Sequence, residues 1–435
     1  MFLPKLKTVT LGCKVNQYET QYVREGLLGI GYQDARDDEI ADLCVVNTCT
    51  VTAEGDKKSR QVIRQLSRRN PGTRIVVMGC YATRAPDEVA ALPSVVEVVR
   101  DKRELPDLLG RFGVIDIPTG ISGFGARHRA YVKVQDGCLL RCSFCIIPLV
   151  RPTMSSRPMP QIIEEVGRLL DNGYREIVLT GIHLGHYGVD FNRGRPKEQW
   201  TRLSHLLETI VKLPGDFRVR LSSIEVCEVT RELVRVMAEH GEKICPHLHI
   251  SMQSGSDRVL MRMRRRWGIR RFVDRCDFVR SALDHPAFTT DVIVGFPGET
   301  ESDFQATCQA ARDVGFSKIH IFPFSPRQST PAAEMPDQIP KPLRNERRAR
   351  LAEVEQELRS AYFESLRGCR LRVLVESSVE ASPGQVQGTS CRYAPVEMPL
   401  RRLSNNLSSP PPEVFGQFAD VIAGDQLNGR IQAEM

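Results

Sequence analysis

Three cysteines fall within the eight residues Cys138-Leu139-Leu140-Arg141-Cys142-Ser143-Phe144-Cys145. The C-x3-C-x2-C spacing brings three thiols to one centre only in a loop that folds back on itself. Thiolates in such a set hold iron–sulfur clusters. A 4Fe–4S cube with three protein ligands keeps one iron open, and an open position is what a metal centre needs to bind a substrate or cofactor. The other readings are buried apolar cysteines or a structural zinc site. Zinc favours paired C-x2-C or C-x2-C with H-x3-H spacings, and no fourth Cys or His lies nearby.

A second set is dispersed. Cys13, Cys49 and Cys80 each end an apolar run: Lys7–Gly12, Leu43–Thr48 and Arg74–Gly79. Each run reads as a strand and precedes a helical pattern, at 17–29, 54–69 and 86–92. Strand–helix alternation implies a parallel sheet with helices on its faces. Ligands bind at the carboxyl ends of such strands, so three thiols distant in sequence can meet there. The alternative is small buried hydrophobes at strand ends. Cys44, inside a strand, reads as core, and Cys227, Cys245, Cys276 and Cys308 share no spacing and read as structural.

The elements that must position these thiols follow from the pattern. A chain of 435 residues suggests about three domains. After a Gly-rich linker at 111–128, six strand patterns lie near 130–137, 175–181, 218–225, 247–253, 289–295 and 317–324. Helical patterns lie between them, near 160–172, 201–212, 230–240, 268–283 and 301–313. Six βα units suit a partial (β/α)6 barrel, which keeps its working residues on loops after the strands. The Cys138 loop follows the first strand. Pro340-Lys341-Pro342 then breaks the chain, and Leu343–Leu366 reads as one helix with a Leu351, Val354, Leu358, Tyr362, Leu366 stripe. Short alternating runs at 370–376, 384–388 and 418–424 suggest a small β-barrel. Ser404–Pro412 reads as a polar, Pro-rich loop.

Composition narrows the function classes. No apolar run approaches about 20 residues, so no membrane span is expected, and the N-terminus has no long apolar region before a cleavage site. The expected location is the cytoplasm. Thirteen cysteines, an odd number, argue in a reducing compartment for metal or redox chemistry rather than disulfides. A net charge of +7 permits an anionic partner such as RNA. Arg60, Arg64 and Arg68 share one helix face, either solvated or phosphate-contacting. The Arg262, Arg264, Arg265, Arg266 run reads chiefly as a solvated face.

The C-x3-C-x2-C loop followed by βα repeats resembles the radical S-adenosylmethionine (SAM) enzymes. In that family the open iron chelates SAM, and the reduced cluster cleaves it to a 5′-deoxyadenosyl radical. Leu11-Gly12-Cys13-Lys14-Val15-Asn16-Gln17-Tyr18-Glu19, Asn47-Thr48-Cys49-Thr50-Val51-Thr52 and Gly79-Cys80-Tyr81-Ala82 resemble the N-terminal domain of its methylthiotransferases. The Gly-Cys-Lys-Val-Asn form is most similar to the subfamily that modifies N6-threonylcarbamoyladenosine in tRNA. Subfamilies acting on isopentenyladenosine or on a ribosomal protein usually carry other residues after this cysteine.

The resemblance implies an α/β chain with three parts. They are an N-terminal parallel domain (4–116), a central partial (β/α)6 radical SAM barrel (124–356) and a C-terminal small β-barrel (359–435) similar to the TRAM RNA-binding module. It implies two 4Fe–4S clusters, one on Cys138, Cys142 and Cys145 and an auxiliary one on Cys13, Cys49 and Cys80. Candidate SAM contacts are Gly181, Glu225, Gln253, Gly295, Pro297 and Gly298. His183 and His186 read as hydrogen-bonding or packing residues nearby. Expected partners are the tRNA anticodon loop, met in part by Arg392, Tyr393, Arg401 and Arg402, and an electron donor such as flavodoxin or ferredoxin. The sulfur donor is not indicated. Where the family commonly has Arg-Gly, this chain has Arg151-Pro152, and proline fixes φ and removes an N–H, which reshapes the loop. The rival readings are a methylthiotransferase for another substrate and a non-catalytic, metal-bound RNA-binding protein.

Overall fold

The computed structural model describes residues 3–125, 127–379, 382, 384–400 and 412–434. Arg401, Arg402 and the Ser404–Pro411 part of the expected loop lie outside the described residues. No helix among the described residues is long and apolar enough to cross a membrane.

The N-terminal sheet contains β1 (Lys5–Thr10), β2 (Gln33–Asp34), β3 (Leu43–Thr48), β4 (Arg74–Gly79) and β5 (Val95–Val98), in the order β2-β1-β3-β4-β5. All pairings are parallel. Central β3 is buried at every residue, as a strand covered on both faces must be. Helices α1 (Lys14–Gly29), α2 (Ala53–Arg69) and α3 (Cys80–Arg84) follow β1, β3 and β4. Thr52 caps α2 by accepting from the Gly55 N–H at 3.1 Å. The helical pattern expected at 86–92 is the short helix Pro86–Ala90, and the unexpected α3 before it ends because Pro86 cannot continue it. The edge strands β2 and β5 were not legible, being only two and four residues long.

The central strands are β6 (Arg129–Asp136), β7 (Ser155–Ser156), β8 (Glu176–Gly181), β9 (Arg218–Leu221), β10 (Ser223–Ile224), β11 (His247–Ile250), β12 (Ala287–Val294) and β13 (Lys318–Pro323). Ser222 interrupts the third expected strand and divides the set into sheets β7-β6-β8-β9 and β10-β11-β12-β13. The six main strands run parallel, and only β7 is antiparallel, on the outer edge of β6. Among the described residues β13 has no strand partner toward β6, so the barrel is open on that side. Helices at Met159–Asp171, Leu203–Val211, Arg231–Glu239, Ile269–Ala282 and Glu301–Val314 cover the outside.

The C-terminal strands β14 (Arg370–Ser378), β15 (Gln385–Ser390), β16 (Pro395–Pro399), β17 (Phe418–Leu427) and β18 (Arg430–Glu434) close a barrel in the order β14-β15-β16-β18-β17. β16 is bounded by prolines and turns Val396 and Met398 into the core. The helix Lys341–Ser365 joins two cores: Leu351 and Val354 pack with the central barrel, Phe363 and Leu366 with the terminal one.

The terminal barrel docks on the amino ends of the central strands. Buried Glu176 pairs with Arg218 Nε at 2.6 Å and Arg220 Nε at 2.8 Å. The remaining guanidinium nitrogens donate to the carbonyls of Arg372, Thr389, Ser390 and Cys391. The three cations around Glu176 hold its carboxyl well below the usual range despite its burial.

Candidate active site

The cysteine loop leaves β6 through Gly137, whose φ is +76°. A Cβ there would stand 2.1 Å from the Thr153 carbonyl oxygen, so only glycine allows the turn. Ser143 anchors the loop, its N–H donating to the Met263 carbonyl at 3.1 Å and its Oγ to the Arg262 carbonyl at 2.7 Å. Cys138, Cys142 and Cys145 then line one cavity of about 160 Å³ together with Ile182, His183, Glu225, Gln253 and Arg265. Donors already face the sulfurs. The Leu140 N–H points at Cys138 Sγ at 3.4 Å, and Arg265 Nη1 at Cys142 Sγ at 3.4 Å. Burial pushes the Cys138 thiol up to about 11 and the Cys145 thiol up to about 12. Desolvated thiols in a cavity become thiolates when a cation takes the place of the proton. Three such groups with N–H donors around them fit a cluster with an open position.

Arg265 is a site residue that the sequence did not reveal. Within a run of four arginines at 262–266 it reads as solvated, yet its side chain is buried and pairs with Glu225 Oε2. Glu225 Oε2 also lies 3.4 Å from Trp267 Nε1. His183 Nδ1 stands 3.5 Å from Cys138 Sγ and its Nε2 meets Glu228 Oε1. His186 stacks on His183 at 3.6 Å between centroids and also meets Glu228, at 3.2 Å. Burial alone would raise the Glu228 carboxyl; the two imidazoles outweigh it and bring it down to about 2. His183 is held from the other side by its N–H, which donates to Gln135 Oε1 at 2.8 Å.

The remaining strand-end residues divide. Gln253 lines the cavity with a left-handed φ of +67°, its N–H donating to the Asp291 carbonyl at 2.8 Å. Gly181 packs closely on Gln135 below the cavity. Gly295, Pro297 and Gly298 do not line the cavity. The Arg344 side chain fills the space beside Gly295, and Arg262 fills that beside Gly298 and donates to the Pro297 carbonyl at 3.1 Å.

The strand ends of the N-terminal sheet bring Cys13, Cys49 and Cys80 together. Cys13 precedes α1, Cys49 follows β3 and Cys80 opens α3. The parallel register sets Thr10 beside Asn47 and Thr48 beside Gly79, so the three strand ends that carry the cysteines are neighbours. A Cβ on Gly12 would stand 3.3 Å from Cys49 Sγ. This set fits a second three-thiolate site.

The two sites are physically joined. Cys80 forms one apolar cluster with Ile146 and Val150, the residues just after Cys145. Arg151, next in line, is buried and bonds Asn16 and Glu19 of α1 together with Asp136 of β6, at 2.8–3.1 Å. Lys133 completes the network at 2.7 Å from Glu19 and 2.6 Å from Asp136. Arg151 therefore places a guanidinium between the domains, and the departure from Arg-Gly lies in the proline that follows it. On the open side of the barrel, Arg327 reaches Thr50 at 2.5 Å and Asp56 at 2.7 Å. The links of Arg151 to α1 and of Arg327 to Thr50 and Asp56 were not legible, because those partners are distant in sequence.

Two residues expected to meet RNA, Arg392 and Tyr393, have neighbours in the central barrel, and burial removes Arg392 from an RNA-facing surface. Arg392 is buried at the docking face and bonds Asp284 and the His285 carbonyl. Tyr393 stacks on His247 at 4.8 Å and lies under Arg220. Arg392 serves the contact between barrels, while Tyr393 touches it and keeps 37% of its surface exposed. On α2, Arg60 donates to Tyr81 Oη at 2.8 Å, while Arg64 and Arg68 remain exposed.

Known proteins share these features. The description "Uncharacterized protein family UPF0004" matches residues 5–101, and that of the radical SAM superfamily matches 132–311. The chain is 40% identical over 386 residues to the threonylcarbamoyladenosine tRNA methylthiotransferase MtaB of Bacillus subtilis, covering 85% of this chain and 84% of that one. It is 36% identical over 389 residues to the tRNA-2-methylthio-N(6)-dimethylallyladenosine synthase of Corynebacterium urealyticum, covering 85% and 72%. Among solved structures, the radical SAM methyltransferase TsrM of Kitasatospora setae superposes with a TM-score of 0.54 at 15% identity, covering 76% of this chain and 75% of that one, which speaks to the fold. This chain belongs to the radical SAM methylthiotransferase family and is an enzyme of the transferase class.

Proposed function

We propose that this enzyme places a methylthio group at C2 of N6-threonylcarbamoyladenosine at tRNA position 37, using two SAM molecules. The observation that carries this reading is the joining of the two thiol sites, with Cys80 packed against the segment that follows Cys145. A thiol set for SAM beside a second thiol set on another domain suits sulfur insertion better than a plain radical reaction. In this reading Cys138, Cys142 and Cys145 hold one 4Fe–4S cluster and Cys13, Cys49 and Cys80 the other. Bound there, the clusters and SAM supply the sulfur, the methyl group and the radical chemistry that exchanges hydrogen for methylthio at C2.

The chain's own residues do the positioning. Arg265 donates to Cys142 and fixes Glu225, whose carboxylate stands ready for a ribose hydroxyl. The His183–Glu228–His186 group holds the wall beside Cys138. Gly181 and Gln253 shape the backbone around SAM. Gly295, Pro297 and Gly298 are assigned to SAM by family resemblance, not by the cavity. Ile146 and Val150 keep water from the space between the thiol sets. The working domain division is 4–116, 124–356 and 359–435. The terminal barrel acts as a TRAM-like RNA module, the partner is the tRNA anticodon loop, and an electron donor such as flavodoxin or ferredoxin works in the cytoplasm.

Nucleoside mass spectrometry of tRNA from a deletion strain tests the substrate. The 2-methylthio derivative of N6-threonylcarbamoyladenosine should disappear and return with the gene. Its persistence in a strain without a paralogue contradicts the substrate assignment.

A further inference from the structure

A second cavity, of about 380 Å³, lies on the other side of the His183–Glu228–His186 wall. Glu228 belongs to its lining and meets His183, which lines the cysteine cavity. One carboxylate and one imidazole therefore separate the two spaces. Both lie at the carboxyl ends of the central strands, where this kind of barrel keeps its working loops. The size is that of a small-ligand pocket.

The walls come mainly from the segment between β8 and the helix Leu203–Val211. Tyr187, Val189, Trp200, Leu203 and Leu233 make the interior aromatic and apolar. The segment is fixed by its own bonds. Asn192 Oδ1 accepts from the Thr201 N–H at 2.8 Å, and its Nδ2 donates to the Thr201 carbonyl at 2.9 Å. Asp190 accepts from the Ser156 N–H of β7 at 2.9 Å. Gly188 takes a φ of +86°, and a Cβ there would stand 2.2 Å from the Thr201 carbonyl oxygen.

Two features of this lining are not used by packing. Ser204 is 3% exposed, and its hydroxyl has no hydrogen-bond partner among the described residues. A buried hydroxyl left unpaired costs stability, which a ligand that bonds it recovers. The second feature is charge. Arg193 and Arg202 line the cavity, Arg202 lies over the Trp200 ring at 5.5 Å, and Arg195 and Lys197 follow, exposed, on the same segment. Aromatic rings and arginine planes that stack bases, beside cations that meet phosphates, are how proteins hold unpaired nucleotides.

We infer that this cavity receives the nucleotide next to the target adenine, its base against Trp200 with one edge on Ser204 Oγ and its phosphate at Arg193. This rests on the anticodon-loop substrate proposed above and adds a second point of recognition to it. Turning the target base out of its stack strips one face of its neighbour, and a side-chain ring in a preformed cavity replaces the lost stack. A wall one imidazole and one carboxylate thick lets adjoining nucleotides of one strand sit on its two sides, the target toward Cys138 and its neighbour toward Trp200.

The test uses the reconstituted holoenzyme and three anticodon stem-loops carrying N6-threonylcarbamoyladenosine at the target position. One is intact, and the others have an abasic site immediately before or immediately after the target. Equilibrium binding is read by fluorescence anisotropy. One of the abasic RNAs should bind the unmodified enzyme on the order of tenfold more weakly than the intact RNA. Trp200→Ala should weaken the intact RNA by a similar factor and abolish the difference between it and that abasic RNA, and Trp200→Phe should restore the difference. Ser204→Ala should weaken the intact RNA by about fivefold and leave that abasic RNA unchanged. It should not lower the urea midpoint of the free protein, since it removes a hydroxyl that nothing bonds. This variant decides the matter if Trp200→Ala does not fold. The inference is overturned if neither abasic RNA binds more weakly, or if the losses from enzyme and RNA multiply at both positions. If the unmodified enzyme binds the intact stem-loop no more tightly than a hairpin of unrelated loop sequence, the substrate reading itself fails.

Discussion

Replacing Arg151 by methionine removes the buried cation that ties the two thiol-bearing domains. Its terminal nitrogens make five contacts of 2.8–3.1 Å with Asn16, Glu19 and Asp136. Methionine keeps length and apolar volume but no donor. Glu19 and Asp136, both withdrawn from water, are then left with Lys133 as their cation, and Asp136 keeps the Gly137 N–H at 2.7 Å. Burial by itself raises both carboxyls; Arg151 and Lys133 together hold them below the ordinary range. Removing one partner of a buried ion pair costs about 3–5 kcal/mol. Lys133 recovers part of that, which sets the expected loss near the lower figure, about 3 kcal/mol, or on the order of a hundredfold in the opening equilibrium. Hydrogen exchange read by mass spectrometry on peptides covering the first turns of α1 and residues 151–154 measures it. Protection there should fall about a hundredfold while peptides of β11 and β12 are unchanged. Arg151→Lys should recover part of the protection. The pH dependence has a definite sign. Both carboxyls have folded values below their unfolded ones, so their stabilisation is complete above the ordinary carboxylate range and is lost as pH falls toward the depressed values. In Arg151→Met that loss should begin at a higher pH. Unchanged protection at both segments would refute the claim that this network docks the domains.

Three other outcomes follow from the geometry. Cys49→Ala should reduce bound iron from about eight to about four per chain and keep SAM cleavage while abolishing methylthio transfer, by iron assay and product analysis; full transfer would remove the auxiliary role. Gly137→Ala, whose Cβ meets the Thr153 carbonyl oxygen at 2.1 Å, should lose the iron of the Cys138 site and keep the rest; an iron content equal to that of the unmodified protein would contradict it. Glu176→Gln leaves Arg218 and Arg220 buried with a neutral partner and should destabilise barrel docking by about 3–5 kcal/mol in urea unfolding, a change under 1 kcal/mol going against the account.

Much of this arrangement was legible because it depends on local pattern. The strands before Cys13, Cys49 and Cys80 and the six barrel strands carry period and punctuation, and the thiols sit at their ends where parallel sheets place ligands. Short edges such as β2 carry too few residues to show a period. What failed was side-chain context. Arg265 reads as one of four surface arginines until Glu225 and Cys142 fold against it. Arg392 looks like an RNA contact until the terminal barrel turns it toward the His285 carbonyl. Arg151 looks like a local irregularity, and only the packing of α1 against β6 reveals its partners.

The most direct measurement is conversion of the nucleoside itself. Anaerobically reconstituted enzyme, a reductant and SAM are mixed with tRNA bearing N6-threonylcarbamoyladenosine deuterated at C2, and the digested nucleosides and 5′-deoxyadenosine are weighed by mass spectrometry. The account predicts the 2-methylthio nucleoside, with the C2 deuterium recovered in 5′-deoxyadenosine. An unchanged threonylcarbamoyl nucleoside alongside conversion of dimethylallyladenosine tRNA by the same preparation would contradict it.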